Sequence, residues 1–149
     1  MNERLIRFTK FVLDFMFYSG WIVFFTLPLS LKFLGKYYSA VIHEYYFFML
    51  AIFGISGVFG IIIISQLRKI MGTVKEKDCF VHGNVASLHI MARSSLCITA
   101  AFLVKIIILP TPATGVIVLT FFIAALFSQV LSYVFAQAID YKEENDLTI

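Results

Sequence analysis

The chain has 149 residues, of which 60% are hydrophobic and only 14% are charged, and its mean hydropathy is +0.91. Soluble globular domains are about 45–50% apolar and about 25% charged. The composition therefore excludes a water-soluble globule and places most of the chain in a lipid bilayer. The formal net charge of +3 is small, and its distribution along the chain is more informative than its sum.

The first predicted element is a membrane-spanning helix over residues 11–31. Its most apolar part, residues 11–27, is followed by Pro28, which we expect to close that part. Basic residues precede the block, as they do in a secretory signal peptide. The block is longer than the apolar region of such a peptide, and no small-residue cleavage site follows it. We therefore predict a retained helix.

Three further apolar blocks complete the membrane part of the chain. Each is long enough to cross a hydrocarbon core about 30 Å thick, which needs ~20 helical residues. Lipid cannot satisfy backbone groups, which leaves helices or a closed barrel, and continuous apolar runs exclude the alternating pattern of a barrel. We predict an all-α membrane protein, a four-transmembrane-helix bundle that forms a single domain. The remaining spans lie at 46–67, 90–109 and 115–136, with a middle loop at 68–89 and a tail at 137–149.

The Lys and Arg residues predict the orientation of these spans. Nine of the 12 lie on the side of the membrane that holds both termini and the middle loop. Because cytoplasmic segments carry the excess of basic residues, we predict that both termini are inside the cell. The nine are Arg4, Arg7, Lys10, Arg68, Lys69, Lys75, Lys77, Arg93 and Lys142, and the other three are Lys32, Lys36 and Lys105.

Small and polar residues inside the spans predict contacts between helices. Gly54, Gly57 and Gly60 recur at three-residue spacing in the second span, which favours close packing of a neighbouring helix over a ligand groove. In the fourth span, Gln129 lies between Ser128 and Ser132. An amide in hydrocarbon needs a hydrogen-bond partner, so we expect a neighbouring helix or a second copy of the chain to provide it. A substrate-binding role for Gln129 is the alternative.

Two opposite charges lie at nearly the same predicted depth. Asp14 is about 5–6 Å inside the first span, counted at 1.5 Å per residue, and Arg93 is at a similar depth on the third span. An Asp14–Arg93 ion pair would relieve the cost of burying both charges. The alternative is that each side chain extends to water at the membrane surface.

Motifs that carry chemistry do not occur in this sequence. His43-Glu44 begins like a zinc-protease motif, but Phe47 stands where the second histidine is required. Cys79 and Cys97 form no CxxC pair. We predict a protein that is not an enzyme, without cofactor, without metal and without direct contact to nucleic acid.

The middle loop and the tail carry two motifs of their own. In the loop, Asn84 follows Gly83 and is placed to cap the helix that becomes the third span. The loop motif is Phe80-x-x-x-Asn84-Val85-x-x-Leu88, and the tail motif is Glu143-Glu144-Asn145-Asp146-Leu147-Thr148-Ile149.

These two motifs, in a four-span chain of this length, resemble the DUF2975 family of small bacterial membrane proteins of unknown function. The resemblance extends over essentially the whole chain, and the tail motif is the more specific part. It implies a multi-pass protein of the bacterial plasma membrane with no assigned activity. It also implies a partner, a small cytosolic helix-turn-helix regulator. The chain departs from the family at Val81-His82-Gly83 and Ala86-Ser87, where charged residues are usual.

Three functions follow as hypotheses. The first is a regulatory or scaffolding protein that presents the loop and tail motifs to a cytosolic protein, such as a small helix-turn-helix regulator. A purely structural role, in which the two motifs only hold loop and tail together, has equal weight. The second is a small transporter or channel component that acts as an oligomer, with Gln129, Asp14 or Arg93 facing water. The third is a membrane immunity or stress-tolerance protein that uses the outer loop.

Overall fold

The computed structural model describes residues 2–148, which form five α-helices joined by short connections. Four of the helices, all except α2, are long and apolar enough to cross a membrane. The predicted fold class, an all-α four-helix membrane protein, is therefore confirmed, and its orientation stays a prediction. The helices are α1 (Glu3–Tyr37), α2 (Ala40–Glu44), α3 (Tyr46–Lys75), α4 (His82–Ile108) and α5 (Pro112–Thr148).

The first helix begins at a capped N-terminus and continues through a proline. The Asn2 side chain accepts hydrogen bonds from the backbone N–H groups of Arg4 and Leu5, at 3.1 and 3.3 Å, as an N-cap residue does. Pro28, expected to close the most apolar part of the span, lies inside α1, which continues past the predicted end at residue 31 to Tyr37. A proline is tolerated in a membrane helix when neighbouring groups satisfy the freed backbone atoms.

The four long helices pack in chain order: α1 against α3, α3 against α4, and α4 against α5. Helix α4 is central, since 44% of its most apolar 18-residue stretch is buried, against 6% in α1. The core cluster joins Ile52 of α3 to Ile98, Ala101 and Phe102 of α4. Within residues 2–148, the backbones of α1 and α5 do not approach each other. The bundle is therefore open between its two outer helices.

An apolar groove of about 510 Å³ occupies this opening. One polar atom on its wall, Ser56 Oγ, is buried and has no hydrogen-bond partner in the described part of the chain. Large apolar side chains also cover the outside of the bundle, which suits lipid rather than water. The groove is lined by residues of all four long helices, among them Phe24, Gly57, Ile64, Ile98, Phe102 and Phe121.

The predicted glycine stripe packs at one position only. A Cβ atom built on Gly57 would lie 3.1 Å from Cδ2 of Phe24 in α1, whereas Gly54 and Gly60 have no atom within 4 Å of that position. The interpretation of all three as packing residues is therefore wrong for Gly54 and Gly60. On a helix of 3.6 residues per turn, a step of three residues turns the side-chain direction by about 60°. Gly54 and Gly60 are two such steps apart, so their directions differ by about 120°.

The predicted middle loop is mostly helical. Helix α3 continues to Lys75 and α4 begins at His82, which leaves residues 76–81 as the connection. The predicted cap at Asn84 is wrong, because the N-cap residue is Val81, in an extended conformation, and Asn84 lies in the first turn of α4. The tail is helical as well, since α5 continues to Thr148.

The connection leaves α3 through a Schellman turn with an unusual residue. The N–H of Asp78 bonds to the carbonyl of Thr73 at 3.1 Å, and the N–H of Lys77 to that of Val74 at 3.0 Å. This motif requires a left-handed residue after the helix, usually glycine. Here it is Lys77, with φ of 63°. A residue with a Cβ atom pays about 1 kcal/mol or more for this conformation.

Candidate functional site

Both described ends of the chain and the 76–81 connection lie at the same end of the bundle. Consecutive long helices are joined by short connections and pack side by side, so each runs opposite to the one before it. We call this end the terminal end, made up of residues 2–10, 76–81 and 137–148. Helix α5 has 37 residues and is about 55 Å long, compared with a hydrocarbon core of about 30 Å. Its final part, residues 137–148, therefore extends beyond the predicted span, and we call it the acidic stem.

Two polar contacts join the connection to the acidic stem. Lys142 Nζ lies 3.0 Å from Asp78 Oδ1, and His82 Nε2 lies 3.5 Å from Glu143 Oε1. All four side chains are about half exposed or more. Exposed pairs of this kind contribute about 0–1 kcal/mol each. Their main effect is therefore to fix which residues of the stem lie beside the connection, with little gain in stability.

An aromatic contact lies between the same two segments. The rings of Phe80 in the connection and Phe135 in α5 meet edge to face, with centroids 5.2 Å apart. Such pairs contribute about 0.5–1.5 kcal/mol beyond the area that they bury. The connection that carries Phe80 thus meets the part of α5 that leads into the tail motif. We call this structure the loop–tail junction: residues 78–84, Phe135 and the acidic stem.

Asn84 ties three segments together at the base of this junction. Its amide nitrogen donates to Thr73 Oγ1 of α3 at 2.7 Å and to the carbonyl oxygen of Cys79 at 2.6 Å. Asn84 is only 2% exposed, and Leu88 is buried as well. The prediction that these two residues contact a partner directly is therefore wrong, because both side chains are used inside the chain.

The other motif residues lie at or near the surface of the junction. Leu147 is 85% exposed and Phe80 is 43% exposed, and Val85 is half-buried. Four polar members of the tail motif are exposed along the stem, and Ile149 lies outside the described residues. The exposed polar members are Glu143, Glu144, Asn145 and Asp146.

Asp14 forms an ion pair, but with a residue other than the predicted one. Its Oδ1 atom accepts a hydrogen bond of 2.8 Å from Nε of Arg68 in α3, and the Arg68 guanidinium lies 4.4 Å from the ring centroid of Phe17. The proposed Asp14–Arg93 pair is wrong because α1 packs on α3 and not on α4. Arg93 is exposed.

Gln129 has a partner on the neighbouring helix. Its Oε1 atom lies 3.3 Å from Nδ1 of His89 in α4, and the His89 ring meets the edge of Tyr133 at a centroid distance of 6.2 Å. Ser128 and Ser132 are buried on the same side of α5, and the Ser132 hydroxyl donates to the carbonyl of Gln129 at 2.6 Å. These groups connect α4 to α5.

The sequence analysis missed a polar cluster at the opposite end of the α4–α5 pair. Lys105 is 5% exposed, so it is a buried residue of the bundle rather than a loop cation. Its Nζ atom donates to Thr114 Oγ1 at 2.7 Å, and this hydroxyl lies 2.6 Å from that of Thr111. The available sequence signal was the pair Thr111 and Thr114, which follow Lys105 across the turn marked by Pro110.

The polar groups of the chain therefore fall into separate places. Asp14 faces α3, Gln129 faces α4, and Arg93 lies on the outer surface, so a single copy does not bring these three around one cavity. Within residues 2–148, no group of three or more His, Cys, Asp and Glu side chains is arranged to hold a metal ion. The loop–tail junction, by contrast, brings charged and aromatic side chains of two distant segments together at one surface.

Comparison with known proteins gives one assignment. No curated protein and no solved structure matches the chain. The sequence model of the DUF2975 family, described as a protein of unknown function, matches residues 15–149. This match includes α1 from residue 15 onward, the whole of α3 and α4, the described length of α5 and every residue of the loop–tail junction, so the chain belongs to the DUF2975 family.

Proposed function

We propose that this protein is a non-enzymatic membrane protein that presents its loop–tail junction to a cytosolic protein partner. The observation that carries the proposal is the contact between the connection, where the loop motif begins, and the part of α5 that leads into the tail motif. The two segments are more than 50 positions apart in the sequence, yet Phe80, His82 and Asp78 contact α5. The junction thereby displays Leu147 and the ring of Phe80 beside exposed acidic side chains.

The terminal end is the cytoplasmic end in this proposal. The basic residues at residues 2–10 and at the end of α3 support this orientation under the positive-inside rule. In a bacterium, the membrane concerned is the plasma membrane. The acidic stem then extends into the cytosol, where a soluble regulator has access to it.

The charge of the stem favours a basic partner. Asp140, Glu143, Glu144 and Asp146 give it four carboxylates within seven positions. DNA-binding proteins carry clustered Lys and Arg that neutralise phosphates, and a carboxylate-bearing helix offers the same kind of countercharge. A small helix-turn-helix regulator held on the stem would therefore be withdrawn from DNA.

Site-specific photo-cross-linking in living cells tests this proposal. A photoreactive amino acid is placed at Leu147 or Phe80 and, as a matched exposed control at the opposite end, at Tyr38. We expect the first two positions to give an adduct with the same cytosolic protein, identified by mass spectrometry, and Tyr38 to give none. The double substitution Glu144→Lys/Asp146→Lys should remove the adduct. Cross-linking at Leu147 and Phe80 that yields only lipid or other copies of this chain would contradict the proposal.

A further inference from the structure

A basic cleft lies between the first turns of α1 and the last turn of α3. Its volume is about 250 Å³, several times the ~30 Å³ that a water molecule occupies. Three cations and one carboxylate surround it, over two half-buried apolar side chains. The lining residues are Glu3, Ile6, Arg7, Val74, Lys75 and Lys77.

Within residues 2–148, no carboxylate forms an ion pair with any of the three cations of this cleft. Arg68 and Lys142 each pair with a carboxylate. By contrast, Arg7, Lys75 and Lys77 make no ion pair or side-chain hydrogen bond to any residue in the range 2–148. The cleft therefore has positive charge available for a ligand.

The backbone of Lys77 supports the same conclusion independently. This residue occupies the left-handed position of the turn after α3, with φ of 63°, where glycine is the usual residue. Residues kept in costly conformations concentrate at functional sites. A glycine would fit the turn better but would remove the third cation from the cleft.

The depth of the cleft matches the head-group region of a bilayer. The Asp14–Arg68 pair lies at the edge of the predicted spans. Arg7 and Lys75 are each seven positions further out along α1 and α3, or about 10 Å. Lipid head groups occupy the layer just outside the hydrocarbon core, and basic pockets between membrane helices bind phosphorylated head groups.

We propose that this cleft binds a phosphate group, supplied by the head group of an anionic phospholipid or by a soluble phosphate. Arg7, Lys75 and Lys77 contact the phosphate oxygens, and Ile6 with Val74 contacts the adjoining apolar part of a lipid. Glu3 limits the net charge of the site to about +2. This site is separate from the loop–tail junction and does not depend on the function proposed for it.

A titration of the full-length protein in zwitterionic detergent tests the site. The probes are short-chain phosphatidylglycerol, short-chain phosphatidylcholine and inorganic phosphate, each followed by 31P NMR. We expect saturable binding of phosphatidylglycerol, weakened roughly tenfold or more in Arg7→Gln/Lys75→Gln, since each cation contributes about a factor of five. The matched control, Arg4→Gln/Lys69→Gln, removes two cations of the same helices outside the cleft and should change the affinity less than about twofold.

The outcomes of this titration distinguish a lipid from a soluble phosphate as the ligand, and they show when the proposal is wrong. Saturable binding of phosphatidylglycerol alone identifies a lipid site, and binding of inorganic phosphate with the same dependence on Arg7 and Lys75 identifies a soluble anion. An equal loss of affinity in the two double variants would overturn the proposal. So would the absence of saturable binding for both phosphatidylglycerol and inorganic phosphate. If the double variants misfold, Lys77→Gly replaces them in the test. Glycine suits the left-handed position of the turn, so this variant should fold. Its affinity should still be about fivefold lower, because one cation is lost.

Discussion

Asn84 shows that a residue of the loop motif can serve the interior of the chain rather than its surface. Its single amide nitrogen serves an α3 hydroxyl and a carbonyl of the connection, so it fixes where the connection returns to the bundle. The contacts between Phe80 and Phe135 and between Asp78 and Lys142 lie just outside this point. A change at Asn84 would therefore disturb the whole loop–tail junction without touching its surface.

Asn84→Ala should lower the free energy of unfolding by about 1–3 kcal/mol, because it removes two hydrogen bonds and leaves a carbonyl oxygen without its partner. Denaturant unfolding in detergent micelles, followed by circular dichroism, measures the change. Gln137→Ala, at an exposed position of α5, is the control and should stay within about 0.5 kcal/mol of the wild type. An unchanged midpoint for Asn84→Ala would show that the two bonds contribute nothing to stability.

The Asp14–Arg68 pair gives a second prediction at this scale. Both side chains are about one-third exposed, which lies between an exposed pair worth ~0–1 kcal/mol and a buried one whose breakage costs ~3–5 kcal/mol. We expect Asp14→Asn or Arg68→Gln to destabilise the protein by about 1–2 kcal/mol in the same unfolding assay, and the exchange Asp14→Arg/Arg68→Asp to restore part of this loss.

Arg93→Gln is the control for that pair. It removes the cation once proposed to contact Asp14 and should change stability by less than about 0.5 kcal/mol. A loss of stability for Arg93→Gln equal to that for Arg68→Gln would contradict the assignment.

Counting residues predicts the depth of Asp14 in the membrane, but not its partner. The partner depends on which helix lies beside α1, and hydropathy contains no information about that order.

At the scale of the helices, α4 and α5 are held together by polar groups at both ends of their contact. Lys105 and Thr114 lie near the turn, and His89 and Gln129 lie nearer the terminal end. Buried polar groups of this kind stabilise when paired and destabilise when one partner is removed.

Thr114→Val should destabilise the protein by about 1–3 kcal/mol, because the buried Lys105 ammonium loses its hydroxyl partner. The double variant Lys105→Met/Thr114→Val should recover most of that loss, since replacing both partners by apolar groups is close to neutral. Thr120→Val is the matched control, because the Thr120 hydroxyl is exposed and bonds only within α5. A double variant less stable than Thr114→Val would refute this account.

Helix boundaries were less accessible to sequence analysis than helix existence. The predicted first span ends at residue 31, shortly after Pro28, yet α1 continues to Tyr37. In a membrane the helix is the only local way to satisfy the backbone, so it tolerates a residue that would end it in water. Likewise, Asn84 has the side chain of a cap, but its amide is already committed to Thr73 and Cys79.

At the scale of the whole molecule, four spans follow directly from hydropathy. Their packing as a row does not, since each apolar helix could contact any other. The row depends on particular side chains, such as Phe24 against Gly57 between α1 and α3 and the Ile52–Phe102 cluster between α3 and α4. Sequence analysis likewise found both motifs of the loop–tail junction but not the helical geometry that brings them together.

The orientation of the molecule is open to a direct test. In a Cys79→Ser/Cys97→Ser background, Leu147→Cys and Tyr38→Cys place one thiol at each end of the bundle, at strongly exposed positions. Under the positive-inside rule, a membrane-impermeant maleimide should label Tyr38→Cys in intact cells, and Leu147→Cys only after the membrane is permeabilised. Labelling of Leu147→Cys in intact cells would reverse the orientation and place the acidic stem outside the cell.

The central position of α4 has a consequence for biosynthesis. Its buried face is polar for much of its length, and a polar residue in hydrocarbon costs free energy unless it is paired. Helix α5 packs along α4 and supplies the Thr114 hydroxyl to Lys105, and only residues 109–111 separate the two helices. We therefore expect α4 to leave the translocon together with α5, as a helical hairpin, rather than to partition into lipid when it is synthesised. The buried polar side chains of α4 are Asn84, Ser87, Ser94, Ser95, Thr99 and Lys105.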